Sequence, residues 1–320
     1  MTMAWPALPY EEWQATRDTL HAHTQVLGKI QTRLAPPEPE LLHSALRLTV
    51  RGWETRLLPA PDGSGGFGIA LDLHRHEAIV RHVDGRERVV PLMPNRAVRD
   101  VTHDVLASVQ ELAGAVEISF TPQETAWRTP LDEDTEHATY DSEQVERYFR
   151  AASRAAQVLA ELRAPWRGRS TPVNAWWGAF DLGLNLYSGR PAEPPSDDFI
   201  FANSMDAQEI AVGWWPGDGR YERAAFYAYA HPSGPKFPGA DLPSGHWEAT
   251  LGEYVLDWDD VVRSTDPHAT AVGFGRSVAR HACLTCDWEP ELAASLEARP
   301  LNSQERFTRT RGGQGSASAP

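Results

Sequence analysis

The stretch FGIALDLHRHEAIVRHVDGRERVVPL, residues 67–92, contains three successive strand patterns and decides the fold class. Apolar residues alternate with other residues from Phe67 to Leu73, which is typical of a strand with one buried face. Two further runs, 79–83 and 86–92, flank Asp84-Gly85, a dipeptide that favours a two-residue hairpin turn. Because strands joined by turns this short pair antiparallel, the sequence predicts a β-meander here.

Helices and further strands surround this meander. Apolar residues recur at helical spacing over 10–34, 98–112, 142–162 and 267–285. Alternating or short apolar runs predict strands over 42–50, 116–120, 210–215, 224–230 and 247–256. The longest strand pattern covers 176–187, and residues 122–141 are acidic, Pro-containing and aperiodic, which indicates a loop.

The order of these elements predicts an α+β fold with antiparallel sheets and flanking helices. Several strands followed by a helix occur in each half, which raises the hypothesis of two similar halves packed as one unit. We place the N-terminal half at 1–164 and the C-terminal half at 165–298. Residues 299–320 end in GGQGSASAP, a composition that predicts a disordered tail.

Composition excludes several functional classes. With 30 Lys and Arg against 44 Asp and Glu among 320 residues, the net charge is −14, which argues against nucleic-acid binding. No apolar stretch is long enough to cross a bilayer, and no signal peptide is recognisable, so we expect no membrane association and a cytoplasmic location. The common phosphate-loop, dinucleotide, nucleophile-elbow and zinc-protease motifs are also missing.

One face of the first predicted helix carries a line of polar residues. His21, Gln25 and Lys29 follow each other at intervals of four residues and therefore form one stripe. They lie about 100 to 180° around the helix from its leucine ridge, where a solvent-exposed face is expected. The alternative is a stripe that binds an anionic or carbonyl-bearing ligand.

The long strand pattern carries a second candidate group. Asp181 lies between Trp177 and Asn185 on the less apolar face. A carboxyl group among aromatic rings can have a raised pKa and act as an acid or base. The alternative is a carboxylate that faces solvent or pairs with an arginine. The aromatic clusters 176–177, 214–215 and 226–229 fit either a pocket or the core.

Two groups have donor atoms at metal-ligand spacing. On the strand pattern, His74 and His76 lie two residues apart, which places both side chains on one face beside Asp72. A third convergent ligand is not visible. Cys283 and Cys286 follow His281 in the second group, for which we favour a buried thiol and a helix-end thiol. We therefore predict no metal and no cofactor.

Several stretches together resemble a bacterial family known as domain of unknown function 5996. They are Leu20–Lys29, Leu131–Asp141, Pro172–Leu182, Gly213–Gly217 and Ala225–Ala230. The similarity covers roughly residues 10–290, which favours one family unit. The resemblance implies no settled activity, but His21, Gln25, Lys29 and the 177–181 segment fall within its most recognisable motifs. Asn174 and Gln208 stand where the family pattern has histidines, which raises the hypothesis of an altered or lost activity.

These observations lead to three hypotheses of function. The first is a pocket for a small organic ligand between the first helix and strand 173–187. In it Lys29 would pair with an anionic group, His21 would donate or accept a proton, and Asp181 would orient the ligand or act as base. Gln25, Trp177 and Asn185 would contribute ligand contacts. The second is a protein-interaction module with exposed Trp side chains and the acidic loop 131–141 as its surface. The third is a mononuclear metal enzyme that uses His74 and His76.

Overall fold

Helices and antiparallel sheets alternate along the chain, as the sequence predicts. The computed structural model describes residues 5–297, so the tail predicted over 299–320 lies outside the described residues. The α-helices within this range are α1 Tyr10–Leu34, α2 Val98–Ala113, α3 Ser142–Arg163, α4 Phe199–Ser204, α5 Trp258–Arg263, α6 Pro267–Thr285 and α7 Pro290–Ser295. Within 5–297, none of the helices is both long and apolar enough to cross a bilayer.

Each half of the chain contributes one six-stranded antiparallel sheet. The first sheet consists of β1 Arg47–Leu48, β2 Gly52–Glu54, β3 Leu58–Pro59, β4 Gly66–Asp72, β5 Glu77–His82 and β6 Glu87–Pro91. The second consists of β7 Asn174–Trp176, β8 Asp181–Pro191, β9 Ala207–Trp215, β10 Ala225–His231, β11 His246–Glu248 and β12 Glu253–Asp257. The strand order is β1-β2-β4-β5-β6 in the first, with β3 beside β4, and β11-β12-β10-β9-β8-β7 in the second.

The elements with strong local signals are confirmed. Helix α1 has the predicted bounds, and β4, β5 and β6 form the meander with Asp84-Gly85 between the last two strands. Helix α2 ends at Gly114, which takes a positive φ of 97°. Asp141 caps α3 by accepting from the backbone N–H groups of Glu143 and Gln144, which satisfies two donors of the first turn.

Four strand predictions are wrong in their extent. The pattern over 176–187 is a hairpin, because residues 177–180 form a turn in which Phe180 takes a left-handed φ of 61°. The pattern over 247–256 is also a hairpin, β11 and β12. Residues 39–44 form a 3₁₀ turn, which leaves only Arg47–Leu48 of the strand predicted over 42–50. Residues 116–120 pack partly against the core without pairing to a strand among the described residues.

Two long helices cover one face of the second sheet. Helices α3 and α6 pack against β8, β9, β10 and β12 on the face that carries Leu182, Val212 and Phe226. Tyr148 of α3 links the two sheets, because its hydroxyl accepts from Trp53 Nε1 of β2 at 3.1 Å and its ring stacks on Phe180. The opposite face of this sheet carries the cavity described next.

Candidate functional site

A cavity of about 790 Å³ lies between α1 and the face of the second sheet opposite α3 and α6. Residues 117–119 and 123–124, the 176–179 turn and helix α4 form its other walls. The sheet contributes a floor of mixed carboxyl and aromatic groups, namely Asp181, Gly183, Asn185, Tyr187, Glu209, Ala211, Trp215, Tyr227, Tyr229 and Glu253. Its volume is within the range of roughly 300–1,000 Å³ that is usual for small-molecule sites.

The floor follows from strand alternation. Along β8, Asp181, Asn185 and Tyr187 point towards the cavity, whereas Leu182 and Leu186 point towards the core. The same alternation places Glu209 of β9 and Glu253 of β12 on the cavity side. Antiparallel pairing then brings polar groups from separate parts of the chain to one surface.

Two glycines allow Tyr227 to lie flat across the sheet. Tyr227 is the cross-strand partner of Gly213, and Gly213 is the partner of Gly183. A Cβ on Gly213 would lie 2.3 Å from the Tyr227 Oη, and one on Gly183 would lie 3.1 Å from it. The tyrosine therefore reaches over both glycines, and its hydroxyl donates a hydrogen bond to Asp181 Oδ2.

Asp181 is the buried acid that contacts this tyrosine. The residue is 6% exposed, and its buried Oδ1 has no hydrogen-bond partner among the described residues. Burial raises its pKa to about 7, although the hydrogen bond from Tyr227 acts in the opposite direction. Both protonation states of the carboxyl group are therefore populated near neutral pH.

Two further carboxyl groups share this environment. Burial raises the pKa of Glu209 to about 8 and that of Glu253 to about 7. Asn185 Nδ2 donates to Glu209 Oε2 at 2.8 Å, so the asparagine already has a partner in the floor. This part of the cavity therefore combines three carboxyl groups whose charged forms are disfavoured by burial.

Lys29 is the member of the α1 stripe that lines the cavity. Its Nζ donates to the Thr121 carbonyl oxygen at 2.8 Å and lies 5.4 Å from the centre of the Trp177 ring. Burial lowers its pKa to about 8, so the amine remains largely protonated at neutral pH. Trp177 itself also lines the cavity and donates from Nε1 to the Ser44 carbonyl oxygen.

His21 does not line the cavity but lies behind its wall. The His21 Nε2 lies 3.0 Å and 2.9 Å from the carbonyl oxygens of Trp177 and Gly178, so this nitrogen carries the proton and donates. Burial, followed by the charge of Arg17, lowers the pKa of His21 to about 3. The neutral ring therefore holds the turn that carries Trp177.

Gln25 also lies outside the cavity lining. Its side-chain amide donates to the Gln123 carbonyl oxygen at 2.8 Å and accepts from the Gln123 N–H at 2.9 Å. The prediction from helical geometry that this stripe faces solvent is wrong, because His21, Gln25 and Lys29 are all buried. Chain segments distant in sequence cover this face and take its hydrogen bonds.

Sequence reasoning did not select Glu209 and Glu253 as floor residues, and it left the 226–229 cluster, which contains Tyr227, open between a pocket and the core. These three residues come from three different strands, and no local motif joins them. The available signal was the alternation of side chains between the two faces of β9 and β10. It separates Glu209 from Ile210 and Tyr227 from Phe226. The sheet register that brings them together depends on tertiary pairing.

The predicted histidine pair does not share a strand face. His74 and His76 lie in the turn between β4 and β5, because the strand ends at Asp72 and His76 takes a positive φ of 56°. His74 packs against Phe149, and His76 Nδ1 lies 3.2 Å from the Tyr140 hydroxyl. Within residues 5–297, no group of three or more His, Cys, Asp or Glu side chains is arranged to hold a metal ion.

The cysteine group and the two departures from the family pattern also lie elsewhere. Cys283 and Cys286 are free thiols, and burial raises the pKa of Cys283 to about 12. Asn174 is buried on β7, and Gln208 accepts from the Ser188 hydroxyl at 3.0 Å. Neither Asn174 nor Gln208 is among the residues that line the cavity.

The family comparison covers both sheets and the cavity. The model of a family described as "Family of unknown function (DUF5996)" matches residues 5–295. No curated protein and no solved structure matches the chain. The matched range includes α1, the 176–179 turn and every strand that contributes to the cavity floor. The chain therefore belongs to the DUF5996 family.

Proposed function

We propose that the chain binds a small organic molecule in the cavity between α1 and the second sheet. The observation that carries this proposal is Asp181, a buried residue that lines a cavity of ligand size and whose Oδ1 has no hydrogen-bond partner among the described residues. A buried polar atom without a hydrogen bond costs free energy, which a ligand donor would recover. The pKa of Asp181, about 7, also suits it to donate or accept a proton at neutral pH.

The other predicted residues take different roles in this proposal. Lys29 supplies a positive charge on the α1 wall for an anionic group of the ligand, and Trp177 supplies an apolar surface beside it. Asn185 positions the Glu209 carboxylate. We assign His21 and Gln25 a positioning role, because both hold backbone groups of the cavity wall and neither reaches the cavity.

The interaction-module hypothesis demands exposed tryptophans, and these are not present. All 12 Trp residues lie within the described range, and each is buried or half-buried. The acidic loop 131–141 is folded around Asp134, which is fully buried and accepts from the N–H groups of Glu136 and His137. These observations favour a ligand site over a flat docking surface.

A cavity-filling substitution tests the proposal. Ala211 lies on the cavity floor, whereas Ala107 is exposed on α2. Affinity selection from a library of small polar and aromatic metabolites, read by mass spectrometry, should retain compounds on the wild type and on Ala107→Phe. Retention should fall on Ala211→Phe, with the fold of each variant verified by circular dichroism. Equal retention on both variants would place binding outside this cavity.

A further inference from the structure

The carboxyl groups on the cavity floor have no cationic partner. Within residues 5–297, no Lys, Arg or His nitrogen lies within 4.0 Å of the carboxylate oxygens of Asp181, Glu209 or Glu253. Their hydrogen bonds come from neutral groups, the Tyr227 hydroxyl and the Asn185 amide. Buried carboxylates in proteins are usually paired with a positive charge, so this arrangement leaves a charge requirement unmet.

Two arginines whose charges act on the floor carboxyl groups are already engaged in ion pairs elsewhere. Arg220 pairs with Asp218 at 2.7 Å, and Arg169 makes a two-bond pair with Glu40 at 2.8 and 2.9 Å. Lys29 lies on the opposite wall, where its Nζ donates to the Thr121 carbonyl oxygen. The protein therefore places carboxyl groups without a cationic partner at the floor, and the cations nearest to the cavity lie at its rim and on the α1 wall.

Aromatic rings stand beside these carboxyl groups. Tyr227 and Tyr229 stack with ring centres 6.4 Å apart and an interplanar angle of 9°, and Trp215 meets Tyr227 edge-on at 6.1 Å. The faces of such rings attract a cation by their quadrupole. Carboxylates and aromatic faces together are the chemical groups that recognise an organic ammonium ion.

We propose that the ligand carries a protonated amine, which binds at the floor with an N–H directed to the Asp181 carboxyl group beside Glu209 and Glu253. This inference rests on the proposed function and adds the charge of the ligand to it. An ammonium group supplies both the missing donor and the missing positive charge, whereas a hydroxyl group supplies only the donor. A carboxylate would meet like charge at the floor.

Two matched series of probes test the charge directly. The first series is 1,5-diaminopentane, 1,5-pentanediol and glutarate, and the second is 2-phenylethylamine, 2-phenylethanol and 3-phenylpropionate. Isothermal titration calorimetry at pH 7.5 should show at least one amine binding about tenfold or more tightly than its alcohol and its acid. The variants Asp181→Asn and Glu209→Gln should reduce this preference, whereas Glu133→Gln, at an exposed position outside the cavity, should keep it.

The outcomes separate this inference from the proposed function. If an alcohol or an acid binds in the cavity and the amines do not, the cavity is a ligand site and the charge inference is overturned. If none of the six probes binds, the charge inference is also overturned, and the library selection on Ala211→Phe decides the proposed function. Amine binding that persists unchanged in both Asp181→Asn and Glu209→Gln overturns the assignment to the floor.

Discussion

Gly28 shows how one residue of α1 shapes the cavity wall. A Cβ at this position would lie 2.0 to 2.3 Å from ring atoms of Trp177, so the glycine gives the indole room to pack on the helix. Glycine inside a helix normally costs about 1 kcal/mol relative to alanine. Here the close approach of the ring outweighs this cost.

We predict opposite effects for two helical glycine substitutions. Gly28→Ala should lower the free energy of unfolding by about 1–3 kcal/mol, because the indole must move out of its packed position. Gly273→Ala on α6 should raise it by about 0.5–1 kcal/mol, because a Cβ there meets no atom within 4 Å. Urea denaturation of both variants measures the difference. Stabilisation by Gly28→Ala would contradict the described packing of Trp177.

Asp181 should leave a signature in the pH dependence of stability. Its ordinary pKa of 3.8 rises to about 7 in the folded protein, so the unfolded chain loses this proton first. The stability contribution is therefore complete below about pH 4 and declines as the pH rises towards 7. The free energy of unfolding of Asp181→Asn, measured relative to the wild type, should increase by on the order of 1–4 kcal/mol as the pH rises from 4.5 to 8. Parallel stability curves in guanidinium titrations over this range would contradict the raised pKa.

At the scale of elements, α1 organises the cavity through the loop that it holds. The Gln25 amide forms two hydrogen bonds with the backbone of Gln123, and Lys29 holds the neighbouring Thr121. A helix face predicted to be solvated therefore holds a segment about 100 residues away in sequence. Helical geometry identified the stripe but not the partners that cover it.

We predict that Gln25→Leu loosens this loop. The leucine keeps much of the side-chain volume but leaves the Gln123 N–H and carbonyl groups without partners, at a cost of about 1–3 kcal/mol. Hydrogen–deuterium exchange should increase over residues 121–125 and remain unchanged in α2. The matched control is Gln110→Leu, at an exposed position on α2, which should leave exchange over 121–125 as in the wild type. Unchanged exchange in Gln25→Leu would show that other contacts hold the loop.

Element prediction succeeded where the signal was local. The Asp84-Gly85 hairpin depends on neighbouring residues and forms as expected, and the cap at Asp141 likewise depends only on neighbouring residues. The 176–187 pattern failed because a turn with apolar residues continues the alternation of the strands on either side. Phe180 enters the left-handed region there because its ring stacks between Trp53 and Tyr148, which are distant in sequence.

At the scale of the molecule, an aromatic stack connects the two sheets. Tyr148 of α3 stacks on Trp13 of α1 and on Phe180 of the β7–β8 turn, and it accepts a hydrogen bond from Trp53 of the first sheet. One continuous group of buried apolar residues includes side chains from both halves of the chain. Unfolding one sheet would therefore expose core surface of the other.

We predict a single cooperative unfolding transition. Far-UV circular dichroism and tryptophan fluorescence should give coincident urea curves, because the halves share their core. Tyr148→Leu should lower the free energy of unfolding by about 3 kcal/mol and keep one transition. Val89→Ala, at a partly exposed position on β6, should change it by about 0.5 kcal/mol or less. Two separated transitions in the wild type would indicate independent halves.

The sequence by itself determined the fold class, the positions of the main helices and the meander, because hydrophobic periodicity, caps and short turns act between near neighbours. It also indicated His21, Gln25, Lys29, Trp177, Asp181 and Asn185 as residues of interest. Only the tertiary structure decided which of these line the cavity and which support its wall. It also added Glu209, Tyr227 and Glu253, because strand register and burial depend on contacts between distant segments, and burial determines the pKa of each carboxyl group.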